Sequence, residues 1–159
     1  MNLSKRIWKL VSAALVAASL SSGALGYWLT SGSGSGSATA ATALPVVISP
    51  GTPSTALYPG GDAGVAVVVS NPNRFRAYLD KLDLDTASGT AGFAVDSGHA
   101  GCDVSALSFT PQTVGQFVPP NDGSHDGTLS LELANAVAMS SQAANACQGA
   151  TFTVYVKAG

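Results

Sequence analysis

Residues 31–43 read SGSGSGSATAATA, and this stretch decides how much of the 159-residue chain can fold. It offers no side chain large enough to build a core, and its glycines and serines keep it a flexible coil, a tether with an r.m.s. reach of roughly 20 Å. A linker over 30–43 therefore separates an N-terminal segment, 1–29, from a folding unit, 44–159, whose length suits one hydrophobic core.

The N-terminal segment has the pattern of export. Lys5, Arg6 and Lys9 crowd its start, and residues 10–29 carry no charge. As a helix rising 1.5 Å per residue, 10–29 can cross a hydrocarbon core of about 30 Å, with Trp8 at one interface and Tyr27 and Trp28 at the other. Ala24 and Gly26 equally supply the small residues of a cleavage site, with the cut after Gly26. Residues 1–29 are thus expected to be a signal peptide or a membrane anchor. On either reading the folding unit lies outside the cytoplasm, held to the cell membrane if the segment stays uncleaved and secreted if it is cut.

All nine acidic residues lie beyond that segment, where the only basic ones are Arg74, Arg76, Lys81 and Lys157, a net charge of −5 with both histidines neutral. Without a lysine or arginine cluster there is no electrostatic footprint for a phosphate backbone, which excludes nucleic acid as a partner.

From residue 44 onward, short apolar or alternating runs are punctuated by Gly, Pro and Asn about every ten residues, the rhythm of an all-β sandwich. Strands are expected at 44–49, 55–58, 64–70, 76–84, 93–95, 106–110, 128–133 and 150–157. The valines of 64–70 suggest a strand buried on both faces. In 76–84, Leu82 and Leu84 should point inward and Lys81, Asp83 and Asp85 outward; in 128–133, Leu129, Leu131 and Leu133 inward. Phe152, Val154 and Val156 should enter the core. Residues 134–146, rich in helix formers, predict a short helical crossover. The expected fold is an immunoglobulin-like β-sandwich of seven to eight strands, with a jelly-roll-like sandwich as the alternative.

Cys102 and Cys147 are the only cysteines. In a chain sent to an oxidising compartment their pairing is the default. His99 stands three residues before Cys102, but with Cys147 that makes at most three ligands, too few for a closed metal site.

No nucleophile elbow, phosphate-binding glycine loop, paired Cys-x-x-Cys or metalloprotease helix is present, and two histidines are a thin supply for acid–base work. Asp80, Asp83 and Asp85 read more simply as charges on a strand's solvent face than as a glycosidase pair. The chain is therefore expected not to be an enzyme and to need no cofactor. Residues 122–127, DGSHDG, match the first half of an EF-hand loop, with Asp122, Ser124 and Asp126 as candidate calcium ligands. The second half fails, because Leu133 stands where the bidentate glutamate belongs, and a polar hairpin loop is the simpler reading. For sugar stacking both tryptophans lie in the leader, and Tyr78 and Tyr155 alone are expected to face outward.

Gly26-Tyr27-Trp28-Leu29-Thr30, Leu57-Tyr58-Pro59-Gly60-Gly61, Asn71-Pro72-Asn73, Gly101-Cys102 and Ala146-Cys147-Gln148-Gly149-Ala150 together resemble small exported proteins of high-G+C Gram-positive bacteria with an immunoglobulin-like domain. That resemblance implies a fold and an address, and no activity. The Tyr27-Trp28 junction is also loosely similar to that of matrix-fibre and camelysin-type proteins. The expected function is a non-catalytic structural or interaction module at the cell surface. The alternatives are a glycan- or calcium-binding module, or a self-assembling matrix or fibre subunit in which 44–49 pairs with a neighbour's sheet edge.

Overall fold

The computed structural model describes residues 42–159. The expected leader, the cut after Gly26 and all but the end of the linker lie outside the described residues. Those described form ten strands and three 3₁₀ turns: β1 (Val47–Ile48), β2 (Thr52–Pro53), β3 (Asp62–Asn71), β4 (Ala77–Leu84), β5 (Phe93–Val95), β6 (Leu107–Phe109), β7 (Gln112–Val118), β8 (Gly127–Met139), β9 (Phe152–Val154) and β10 (Val156–Ala158). Every strand pairing is antiparallel. The protein is all-β, as its turn spacing predicts.

One sheet runs β1-β3-β8-β6, with β2 also on β3; a second runs β10-β4-β7; β5 and β9 form a ribbon. β1 and β2 are two halves of one broken edge, since Val47 pairs with Ser70 and Thr52 with Ala66 further back along β3. At the break Gly51 leaves β3 and exchanges two 2.8 Å backbone hydrogen bonds with Val154 of β9. A side chain there would collide with Val65 and Val67, so only glycine lets the chain pass. This flank of the molecule is thereby closed.

The core comes from alternation. Along β3, Ala63, Val65, Val67 and Val69 are buried, whereas Ala66 and Val68 are exposed, Val68 at 42%. The expectation of burial on both faces fails, because the outer face of this sheet has nothing packed on it among the described residues. Phe152, Val154 and Val156 are all buried, as expected. Leu133 is buried and Leu129 and Leu131 half-buried, with Thr128, Ser130 and Glu132 exposed opposite them. On β4 the simple alternation breaks: Leu79 and Leu82, three apart, are both buried, and Leu84 only partly. The register against β7 shifts between Leu79 and Lys81, which changes the face each residue presents.

Two segments depart further from expectation. Residues 134–139 are not helical but complete β8, where Val137 pairs with Ala63 on one side and Phe109 on the other. Alanine's helix propensity is worth only tenths of a kcal/mol per residue, less than ladder bonds and the burial of Ala136, Val137 and Met139. β8 accommodates the switch by a bulge opposite Ala63 and Val65, with Asn135 at φ 50°, a left-handed conformation asparagine tolerates. Residues 55–58, expected as a strand, form none, while β7, not expected, pairs along β4.

Two buried asparagines tie the start of the folded unit to its centre. Asn71 donates from Nδ2 to the carbonyls of Phe75 (2.9 Å) and Pro119 (2.8 Å), and its Oδ1 accepts from the backbone and side chain of Asn73 (3.0 and 2.8 Å). Asn73 in turn exchanges two bonds with the backbone of Leu44 (2.7 and 2.8 Å). No buried side-chain polar atom among the described residues lacks a partner.

Candidate functional site

The β4–β7 pair carries two exposed aromatics side by side. Tyr78 stands opposite Phe117, ring centroids 5.0 Å apart and planes inclined at 58°, a tilted pair. Arg76 lays its guanidinium over the Phe117 ring, 4.3 Å from the centroid. Exposures are 57% for Tyr78, 50% for Phe117 and 46% for Phe75, just ahead of β4. Alternation explains the placement on β4, where Ala77 and Leu79 turn inward and Tyr78 turns out. On β7, Gly115 at φ 63° inserts an extra residue opposite β4.

The sequence marks Tyr78 as outward, and it is; Tyr155 is only half-exposed, and Phe117 and Phe75 were not expected at the surface. A phenylalanine reads as core by default, and the glycine inside QTVGQFV hides the strand that carries Phe117. The outward signal lay in Arg76-x-Tyr78, whose strand neighbour shares its face. Arg76 makes no ion pair among the described residues, and Lys81 pairs instead with Asp83 at 3.0 Å. A weakly hydrated cation beside two aromatic rings is suited to grip a flat or anionic partner surface.

Between the turn after β5 and the turn before β9, Cys102 and Cys147 form the expected disulfide, Cα atoms 4.6 Å apart, closing a loop of 45 residues. Such a bond fits an oxidising, extracytoplasmic environment. Beside it Asp96 accepts from the Thr151 amide (2.6 Å), the Gly98 amide (2.9 Å) and His99 Nδ1 (2.9 Å). The Thr151 amide first, then His99, holds the Asp96 carboxyl below the usual carboxylate range. His99 is thus oriented by a carboxylate but contacts no hydroxyl or thiol nucleophile among the described residues. A cleft of about 340 Å³ opens next to it, lined by Leu57, Tyr58, Met139, Asn145 and Gln148.

The loop bearing the candidate calcium ligands binds itself. Asp122 Oδ1 accepts from the Ser124 and His125 amides (2.7 and 2.8 Å), which depress its pKa. Asp126 accepts instead from Asn121 Nδ2 (2.8 Å) and Ser70 Oγ (3.0 Å). Arg74 adds positive charge beside Asp122. Among the described residues no group of three or more His, Cys, Asp or Glu side chains converges on a common point. Asp80, Asp83 and Asp85 do not meet as an acid pair either, since Asp83 turns to Lys81 and Asp85 accepts from Ser88 at 2.6 Å.

No helix among the described residues is long and apolar enough to cross a membrane. No family model, curated protein or solved structure matches the chain.

Proposed function

We propose that this protein is a non-catalytic interaction module of the cell exterior, delivered by its N-terminal segment and working through the β4–β7 face. The observation that carries this reading is the exposed cluster of Tyr78 and Phe117 with Arg76. Interface centres are enriched in these residue types, and solvent alone gives no reason to display two paired aromatics and an arginine on one face. The disulfide supports an exterior address. The resemblance to small exported proteins of high-G+C Gram-positive bacteria is part of the same proposal.

The finer fold reading is jelly-roll-like rather than immunoglobulin-like. Counting β1 with β2 and β9 with β10 as single broken strands, the first meets the last at Gly51 and Val154, the second (β3) pairs with the seventh (β8), and the third (β4) with the sixth (β7). That is the order of a long hairpin rolled into two sheets. An immunoglobulin sandwich would pair the second strand with the fifth.

The test is a photo-crosslinking residue at position 78 of the full-length protein in its native cell envelope. A discrete cross-linked product, lost on Phe117→Ser while the thermal melt is unchanged, supports the reading. A face that cross-links to nothing defined, or equally well after Phe117→Ser, sinks it. A product containing polysaccharide rather than protein would move the assignment to glycan binding, for which tyrosine stacking supplies the chemistry.

A further inference from the structure

The flank opposite the Gly51–Val154 closure is open. β8 is 13 residues long, but β6 covers its second edge only at Val137–Met139, with the Thr110 amide reaching Ala136 at 2.8 Å. Which backbone groups are left over follows from β3. Ser49 donates to the Val68 carbonyl (2.9 Å) and its Oγ accepts from the Val68 amide (3.0 Å), so Val68 turns both backbone groups toward β1. Its partner across the ladder is Ser130, which therefore sits in a non-hydrogen-bonded pair and points its own N–H and C=O away from β3. The period of two gives Thr128 and Glu132 the same direction. None of the three has a backbone or side-chain partner on that edge among the described residues.

Exposed strand edges are normally blunted by lysine, proline or a bulge. The stretch 128–133, TLSLEL, has none of these and a single charge at Glu132. Leu129 and Leu131 on its inner face are left half-buried.

We propose that this edge pairs with the same edge of a second copy of the chain, about a two-fold axis through Ser130. Two-fold symmetry makes the strands antiparallel, as every other pair in the fold is. The register is set by charge and apolar fit. An axis through Glu132 would bring two carboxylates face to face, whereas the axis through Ser130 sets each Glu132 opposite Thr128 of its mate and each Leu129 opposite Leu131. The two five-stranded sheets become one continuous sheet, and the unpaired backbone groups are satisfied.

Sedimentation of the full-length protein in detergent, across a range of concentrations, tests the inference through a charge swap. Ser130 is exposed and its N–H lies outside the β3 ladder, so Ser130→Lys and Ser130→Glu leave the fold intact, as an unchanged melt will verify. The wild type dimerises; each variant alone, with like charges opposed at the axis, dimerises about five-fold more weakly; an equimolar mixture of the two regains the wild-type dimer. A monomeric wild type overturns the proposal. So does a dimer indifferent to both variants, which would point to association through the N-terminal segment, and so does a mixture that fails to recover.

Discussion

Asp96 shows how one side chain can join two distant parts of a fold. Its backbone and carboxylate both bond to Thr151, extending the β5–β9 ribbon by one residue, while the same carboxylate caps the 3₁₀ turn at Ser97–His99 and receives His99. Because these donors favour the ionised form, the folded-state pKa lies below that of the unfolded chain. The resulting stabilisation is complete above the unfolded value of about 4 and is lost as pH falls through the lower folded value. Asp85, held down by the Ser88 hydroxyl, and Asp103 and Asp122, held down by amides of their own turns, act in the same direction. Thermal melts of wild type and Asp96→Asn from pH 7 to pH 2 should therefore differ most between pH 7 and 5, the variant melting lower, and converge below about pH 4. A gap that stays constant over the whole range would mean that the Asp96 charge contributes nothing.

At the scale of elements the bulges matter more than the strands. β7 pairs along β4 only because Gly115 absorbs an extra residue with positive φ, a conformation that costs a side-chain-bearing residue about 1–2 kcal/mol. Gly115→Val should lower stability by about that amount in denaturant titration, with an unchanged m-value, because the strand is strained rather than removed. An unaffected midpoint would show that β7 can slip register without loss. The same feature explains what could be read from the sequence. β3, β5 and the β9–β10 run were legible because alternation or apolar runs bounded by turns give them away. β7 was not, because Gly115 interrupts its period, and the second half of β8 was not, because Asn135 and the alanines around it resemble a helix until Ala63 and Phe109 pair across it. The aromatic face was half legible: Tyr78 follows from its strand, whereas Phe117 depends on a strand invisible without its partner.

For the whole molecule, the disulfide and the Gly51–Val154 bridge divide the work of closure. The bridge fastens the edge of the five-stranded sheet to the β5–β9 ribbon, and the disulfide pins the turn after β5 to the turn before β9. Closing a 45-residue loop removes unfolded-state entropy equivalent to about 4 kcal/mol in the chain-entropy model, a large share of the stability of a domain this size. Both cysteines are buried, at 6% exposure, so a thiolate reductant reaches them only when that end of the fold opens. Two outcomes are expected together. The Cys102→Ala, Cys147→Ala double variant should lose about 2–4 kcal/mol in denaturant titration. The native bond should resist reduction in buffer but yield, with a mass gain of about 2 Da, once subdenaturing urea populates the open state. Rapid reduction in plain buffer would show that this end opens on its own, and stability in the double variant would then rest on the sheets alone.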